Sequence, residues 1–188
     1  AGFLAHTDHH IHRLLASLDE RGKLDNTLVF YITGDNGASG EGTLHGAWSA
    51  PSFQNGRPED PEWLLEHMDD FGSADCENHY NYPWAWALDS PFQWMKQVAS
   101  HFGGTRNAMA VSWPKGIADA GGLRTQFHHV VDIAPTIYEA CGITQPTSVN
   151  GIEQMEVYGT SMAYTFDVAD IEDRHETQYF EMMGNRGV

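Results

Sequence analysis

The segment Thr27-Leu28-Val29-Phe30-Tyr31-Ile32 constrains the fold more than any other. It is a continuous apolar run rich in β-formers, which suits a strand covered on both faces, as in a parallel sheet. Upstream, Leu4, Ile11, Leu14, Leu15 and Leu18 recur on one face at helical spacing, with Arg21 in the last turn and Gly22 just beyond. The pattern predicts an amphipathic helix over roughly residues 3–21. A helix, the short Asp25-Asn26 turn and then a buried strand make an α/β arrangement. Gly34-Asp35-Asn36-Gly37 follows at the carboxyl end of that strand, where open α/β sheets place their ligands.

Residues 38–89 read as a long irregular insertion. Between Arg57 and Cys76 lie Glu59, Asp60, Glu62, Glu66, Asp69, Asp70 and Asp75, with no lysine or arginine. Trp48, Trp63, Trp84 and Trp86 flank or interrupt this stretch. Long loops in compact domains tend to be functional or disordered, and the aromatics favour an ordered, packed one that serves as a specificity loop. Ser90-Pro91-Phe92-Gln93 carries a cap, a first-turn proline and a capping-box partner, predicting a helix to about Ser100. Ala108–Trp113 reads as a strand stopped by Pro114. Asp132 is placed to cap a helix from Ile133 to Ala140, ended by Gly142. From Gln145 to Glu176 the chain is polar and broken, apart from the apolar stretch Met162–Phe166, and Gln178–Met182 reads as a final strand.

Ten basic against 26 acidic side chains leave a net charge of −16. That balance argues against nucleic-acid binding, which needs a basic face, and against attraction to an anionic membrane surface. No run approaches the ~18 apolar residues of a transmembrane helix. Two cysteines, Cys76 and Cys141, cannot build a disulfide framework and carry no motif of a nucleophile.

Three groups of residues could carry chemistry. Asp35 and Asn36 offer a carboxylate and an amide carbonyl, hard oxygen ligands suited to calcium or magnesium; an ordinary turn has the same sequence. Lys96 is one of three lysines and lies between Trp94-Met95 and Val98-Ala99. It suits either an anion contact at a pocket rim or an aliphatic stem lying over apolar surface. In His101-Phe102-Gly103-Gly104-Thr105-Arg106, the glycine pair permits close backbone approach and its N–H groups could hold an anion, with Arg106 fixing the loop or reaching substrate. The same glycines would serve a simple flexible connection. His6 and His10 have the i, i+4 spacing of a helical zinc pair, but they fall beside the apolar stripe and lack the glutamate of the metalloprotease pattern. With His9 and His12 they read as a solvated face, while His128-His129 stays open.

Taken in order, Leu24–Phe30, Gly34–Gly37, Pro91–Arg106, Trp113-Pro114-Lys115-Gly116-Ile117 and Val131–Tyr138, behind the amphipathic helix, resemble the type I sulfatases, in particular the bacterial arylsulfatase branch. The resemblance implies an alkaline-phosphatase-like three-layer α/β/α fold with a large mixed sheet. It implies that Asp35 and Asn36 ligate a calcium ion and that Lys96 contacts the sulfate; His101 is carried as a second catalytic candidate. It further implies a sulfuric ester hydrolase with a formylglycine nucleophile, and a formylglycine-generating enzyme as partner. The Cys/Ser-x-Pro-x-Arg motif that yields formylglycine does not occur here: Cys76 is followed by Glu77-Asn78 and Cys141 by Gly142-Ile143. The expectation is therefore that residues 1–188 are the later part of one catalytic domain, with an incomplete calcium site and no activity alone. A phosphonate or phosphodiester hydrolase of the same superfamily and a non-catalytic metal-binding module are the alternatives. Cytoplasm and periplasm stay equally open.

Overall fold

A computed structural model describes residues 2–79 and 81–188. The chain opens with helix α1 (Gly2–Glu20), a 3-10 turn at Leu24–Asn26 and strand β1 (Val29–Ile32). Short helices α2 (Ala50–Gln54) and α3 (Pro61–Glu66), a 3-10 turn at Met68–Asp70, α4 (Tyr82–Asp89) and α5 (Phe102–Thr105) follow, then strand β2 (Met109–Ser112). A 3-10 turn at Val130–Asp132 leads into α6 (Ile133–Cys141). The chain closes with β3 (Ser148–Val149), β4 (Ile152–Glu153), a 3-10 turn at Ala163–Thr165, β5 (Phe180–Met182) and β6 (Asn185–Gly187). Strand β1 pairs with β2, and β3–β4 and β5–β6 are antiparallel hairpins. Two units divide the chain: Ala1–His10, Tyr31–Ala110 and Tyr179–Val188 in the first, Ile11–Phe30 and Val111–Gln178 in the second. Among the described residues no helix is long and apolar enough to cross a membrane.

The predicted first helix forms, yet none of its residues is buried. The strand expected to be covered on both faces is not: Tyr31 and Ile32 remain 39% and 38% exposed. The reason is architectural. Among the described residues β1 pairs with β2 alone, so the chain builds the α/β succession in sequence but a two-stranded ribbon rather than a large mixed sheet.

In the first unit the acidic segment is ordered by caps and rings. Ser49, Asp60 and Asn81 each accept a backbone N–H at the start of α2, α3 and α4, and each of these helices carries a proline in its first turn. Glu59 accepts from the backbone N–H groups of Trp48 and Ser49. Trp48 meets Trp63 and Phe71 edge-on at 5.3 and 5.4 Å, and Trp63 stacks on His67 at 4.0 Å, beside buried Leu64. Trp84 and Trp86, also expected to pack, stay exposed.

The helix predicted from Ser90 to Ser100 does not form. The helix is α4, capped nine residues earlier by Asn81, and Ser90 falls at its C-terminal end. The residues beyond form turns, with Trp94 and Gln97 at φ of 66° and 78°. The backbone N–H of Lys96 is spent on the Ala38 carbonyl, and the Gln93 carbonyl accepts from Gly103, pairings no helix there could make. The strand expected at Gln178–Met182 forms as β5 over Phe180–Met182 and is not the last. It turns back through Met183 and Gly184, both at positive φ, into β6.

In the second unit, Gly142 ends α6 in the left-handed conformation, as its sequence position predicts. Asp132 departs from expectation: its side chain does not cap α6. It is fully buried and accepts from the backbone of His129 and Thr160 and from His175 Nδ1. Thr136, also fully buried, donates to the Asp132 carbonyl and accepts from Met162 N, which draws the Met162–Phe166 stretch into the core.

Candidate functional site

The Asp-Asn turn begins where β1 ends. Thr33 N donates to Ala108 O, and Gly34 takes φ +85°, a conformation open to glycine at little cost. Asp35 is exposed, Asn36 half-buried and Gly37 buried. The Asn36 amide donates to the Asp35 carboxylate, leaving Asn36 Oδ1 buried without a hydrogen-bond partner.

Gly37 packs directly on the glycine pair. Its N–H donates to Gly104 O at 3.3 Å, and a Cβ at Gly37 would lie 1.5 Å from Gly103 O. A Cβ at Gly103 would meet the Trp94 and Gln93 carbonyls at 2.1 and 2.3 Å, and one at Gly104 would meet Val98 O at 2.2 Å. The glycines are therefore required by close packing inside α5, not by flexibility. Their N–H groups are committed to Gln93 O and His101 O, so they are not donors waiting for an anion.

Lys96 lies one hydrogen bond from the same turn, its N–H donating to Ala38 O at 3.0 Å. Its ammonium sits 3.2 Å from Glu41 Oε2. His101 faces elsewhere. Its Nδ1 pairs with Ser100 Oγ at 2.9 Å, and with Pro91, Phe92, Gln93 and Phe102 it lines a shallow groove of about 370 Å³. Arg106 lays its guanidinium over Phe92 and Phe102, 5.0 and 5.5 Å from the ring centroids, which fixes the loop.

The sulfatase family model matches residues 1–143. The chain belongs to the sulfatase family. An arylsulfatase from Klebsiella aerogenes is 26% identical over 163 residues, which cover 87% of this chain and 33% of that protein. The sulfatase chain thus spans about a third of the length of this curated relative.

A family cation can be tested against the turn. An orphaned buried amide oxygen beside an exposed carboxylate is the donor type a hard cation takes. Asp35 and Asn36 fit calcium in kind; in number they fall short, since calcium takes six to eight oxygens. Among the described residues no group of three or more His, Cys, Asp or Glu side chains could hold a metal.

Three residues around the Asp35-Asn36 turn and Lys96 escape a reading by motif. Both carboxylate oxygens of Asp89 accept from Ala38 N, at 3.0 and 3.2 Å, tying the end of α4 to the turn. Asn107, its amide turned so that nitrogen meets the Asn36 carbonyl at 2.9 Å and oxygen meets Asn36 N at 3.2 Å, brackets Asn36 from the far side. Glu41 pairs with Lys96 across 55 residues. Asp89 and Glu41 carried no signal, because an acidic chain offers too many carboxylates to single out two. The His6 and His10 Nε2 atoms meet at 3.2 Å on the exposed face of α1, as helical spacing requires.

Proposed function

We propose that this chain is the later part of the catalytic domain of a sulfuric ester hydrolase acting on sulfate monoesters of the aryl type. The observation that carries the reading is the backbone packing of the Asp35-Asn36-Gly37 turn on the segment running from Lys96 to Gly104. It brings a pair of hard oxygen donors and a rare lysine, 61 positions from Asp35 in sequence, onto one local scaffold.

In this reading Asp35 and Asn36 hold a calcium ion together with ligands from outside these 188 residues. What that cation supplies when bound is charge compensation on the sulfate oxygens. Lys96 adds a second positive charge at the same group, stabilising a non-bridging or leaving oxygen as negative charge builds on it. Gly37, Gly103 and Gly104 keep the two segments in register, and Arg106 clamps the loop between two rings. His101 has a lesser part, bordering its own groove rather than the Asp-Asn turn. The apolar groove of about 440 Å³ along α4, lined by Leu44, Tyr82, Pro83, Trp86 and Ala87, suits the organic half of the ester. The formylglycine nucleophile and the enzyme that makes it belong to the full-length protein, and these 188 residues alone do not turn over substrate.

Lys96→Ala in the full-length enzyme tests the assignment. Turnover of an aryl sulfate should fall by about 10²–10³-fold, the usual scale for one electrostatic contact in a transition state. Wild-type turnover in that variant would remove Lys96 from the site. Parallel assays on an aryl sulfate and a phosphodiester separate the sulfatase reading from a phosphodiesterase one.

A further inference from the structure

We propose that Glu41 is a positioning residue for Lys96, holding the lysine ammonium on the loop that follows the Asp35-Asn36 turn. The proposal rests on the reading of Lys96 as the sulfate contact.

A lysine is a compact charge on a flexible four-carbon stem. It stabilises a transition state only if the charge stands in place before the reaction begins. The loop at residues 38–41 grips this lysine at both ends. Ala38 O accepts its backbone N–H at 3.0 Å, and Glu41 Oε2 accepts from Nζ at 3.2 Å. The loop is itself anchored, since Ala38 N donates to both oxygens of Asp89.

Glu41 is in turn held from several sides. Ser39 Oγ donates to Oε2 at 2.8 Å, Gln97 Nε2 donates to Oε1 at 3.4 Å, and His79 Nε2 lies 3.6 Å from Oε2. The Ser39 hydroxyl, above all, keeps the Glu41 carboxyl below the usual glutamate range; Lys96 and His79 add to this, and partial burial opposes it. The brace is therefore an anion wherever the protein is folded near neutral pH.

Stability does not account for the arrangement. Both side chains are about one-third exposed, at 35% and 34%, and ion pairs with that exposure contribute little to folding. In a chain carrying −16, a carboxylate set beside an anion-binding lysine would weaken binding, which makes placement of the ammonium the function that explains it.

The experiment is a double-mutant cycle in the full-length enzyme with a nitrophenyl sulfate as substrate. Glu41→Gln keeps the size and an acceptor oxygen but loses the charge. It is expected to lower kcat by about 10-fold with a smaller change in KM, and to change kcat by less than about 2-fold in the Lys96→Ala background. An equal loss in both backgrounds overturns the proposal, because Glu41 would then act without Lys96. If Lys96→Ala itself has no effect, the sulfatase role of Lys96 falls, and the brace is judged by a readout that needs no turnover. That readout is acylation of the three lysines by acetic anhydride, followed by mass spectrometry. Lys96 should label several-fold more slowly than Lys23 and Lys115 in the wild type, and Glu41→Gln should abolish that protection. Labelling of wild-type Lys96 at the rate of the other two overturns the brace, even should Glu41→Gln fail to fold.

Discussion

Asp132 is a carboxylate with no access to solvent, met by two backbone N–H groups and an imidazole. Breaking one partner of such a set leaves buried polar groups unpaired. Asp132→Asn should therefore cost about 3–5 kcal/mol, read as a lowered urea midpoint at unchanged m-value. His128, four residues upstream of Asp132, is the opposite case. Both ring nitrogens are buried without a hydrogen-bond partner, and burial holds its pKa below the ordinary histidine value, against the pull of Asp132 and Asp173. The buried, unpartnered ring costs stability at any pH; its depressed pKa adds a protonation cost that is absent above the unfolded pKa near 6.5 and grows as pH falls below that value. His128→Phe should stabilise the chain by about 1 kcal/mol at pH 7.5 and by more at pH 5.5. Urea titrations at the two pH values check it; an equal or smaller gain at pH 5.5 contradicts the desolvation account.

Among the elements, α4 depends on a side chain that the sequence pattern passes over. Asn81 accepts from Trp84 N at the start of the helix, so Asn81→Ala should destabilise by about 1 kcal/mol, seen as a lower Tm. The contact between the Asp-Asn turn and α5 is far less forgiving. A methyl at Gly37 would enter the Gly103 carbonyl, and Gly37→Ala should cost about 3 kcal/mol or more or prevent folding, measured by the same denaturation. Helices α1 and α6 and strands β1 and β2 were legible because period and punctuation agree with the structure within a few residues. The segment at 90–100 was not, because its good capping sequence loses to other partners: Gln93 O takes the N–H of Gly103, and the Lys96 N–H goes to Ala38, 58 positions back. Local pattern carries no information about a partner more than 50 positions distant. The site divides in the same way. Asp35, Asn36 and Lys96 stand in motifs, whereas Glu41, Asp89 and Asn107 act through contacts that only folding creates.

For the whole molecule the dominant quantity is the net charge of −16. Self-repulsion of that size is screened by salt, so raising sodium chloride from about 0.05 to 0.5 M should raise Tm by about 2–4 °C, the equivalent of about 1 kcal/mol. A Tm that is flat or falls across that range contradicts the expectation. Between residues 38 and 89 several carboxylates accept backbone N–H groups, which offsets part of the repulsion: Glu59 on Trp48 and Ser49, Asp60 on α3, Asp89 on Ala38. The aromatic lining of the acidic segment has an optical consequence. Trp48 and Trp63 sit among rings, while Trp84, Trp86 and Trp94 are 62%, 57% and 52% exposed. The exposed indoles emit at long wavelength already, so the blue edge of the tryptophan emission comes mainly from two half-buried indoles, Trp48 packed on the acidic segment and Trp113 beside Asn26. Loosening of that segment would drain the Trp48 share of the blue edge while the red edge holds still, giving the protein a label-free colour signal for the packing of its acidic segment.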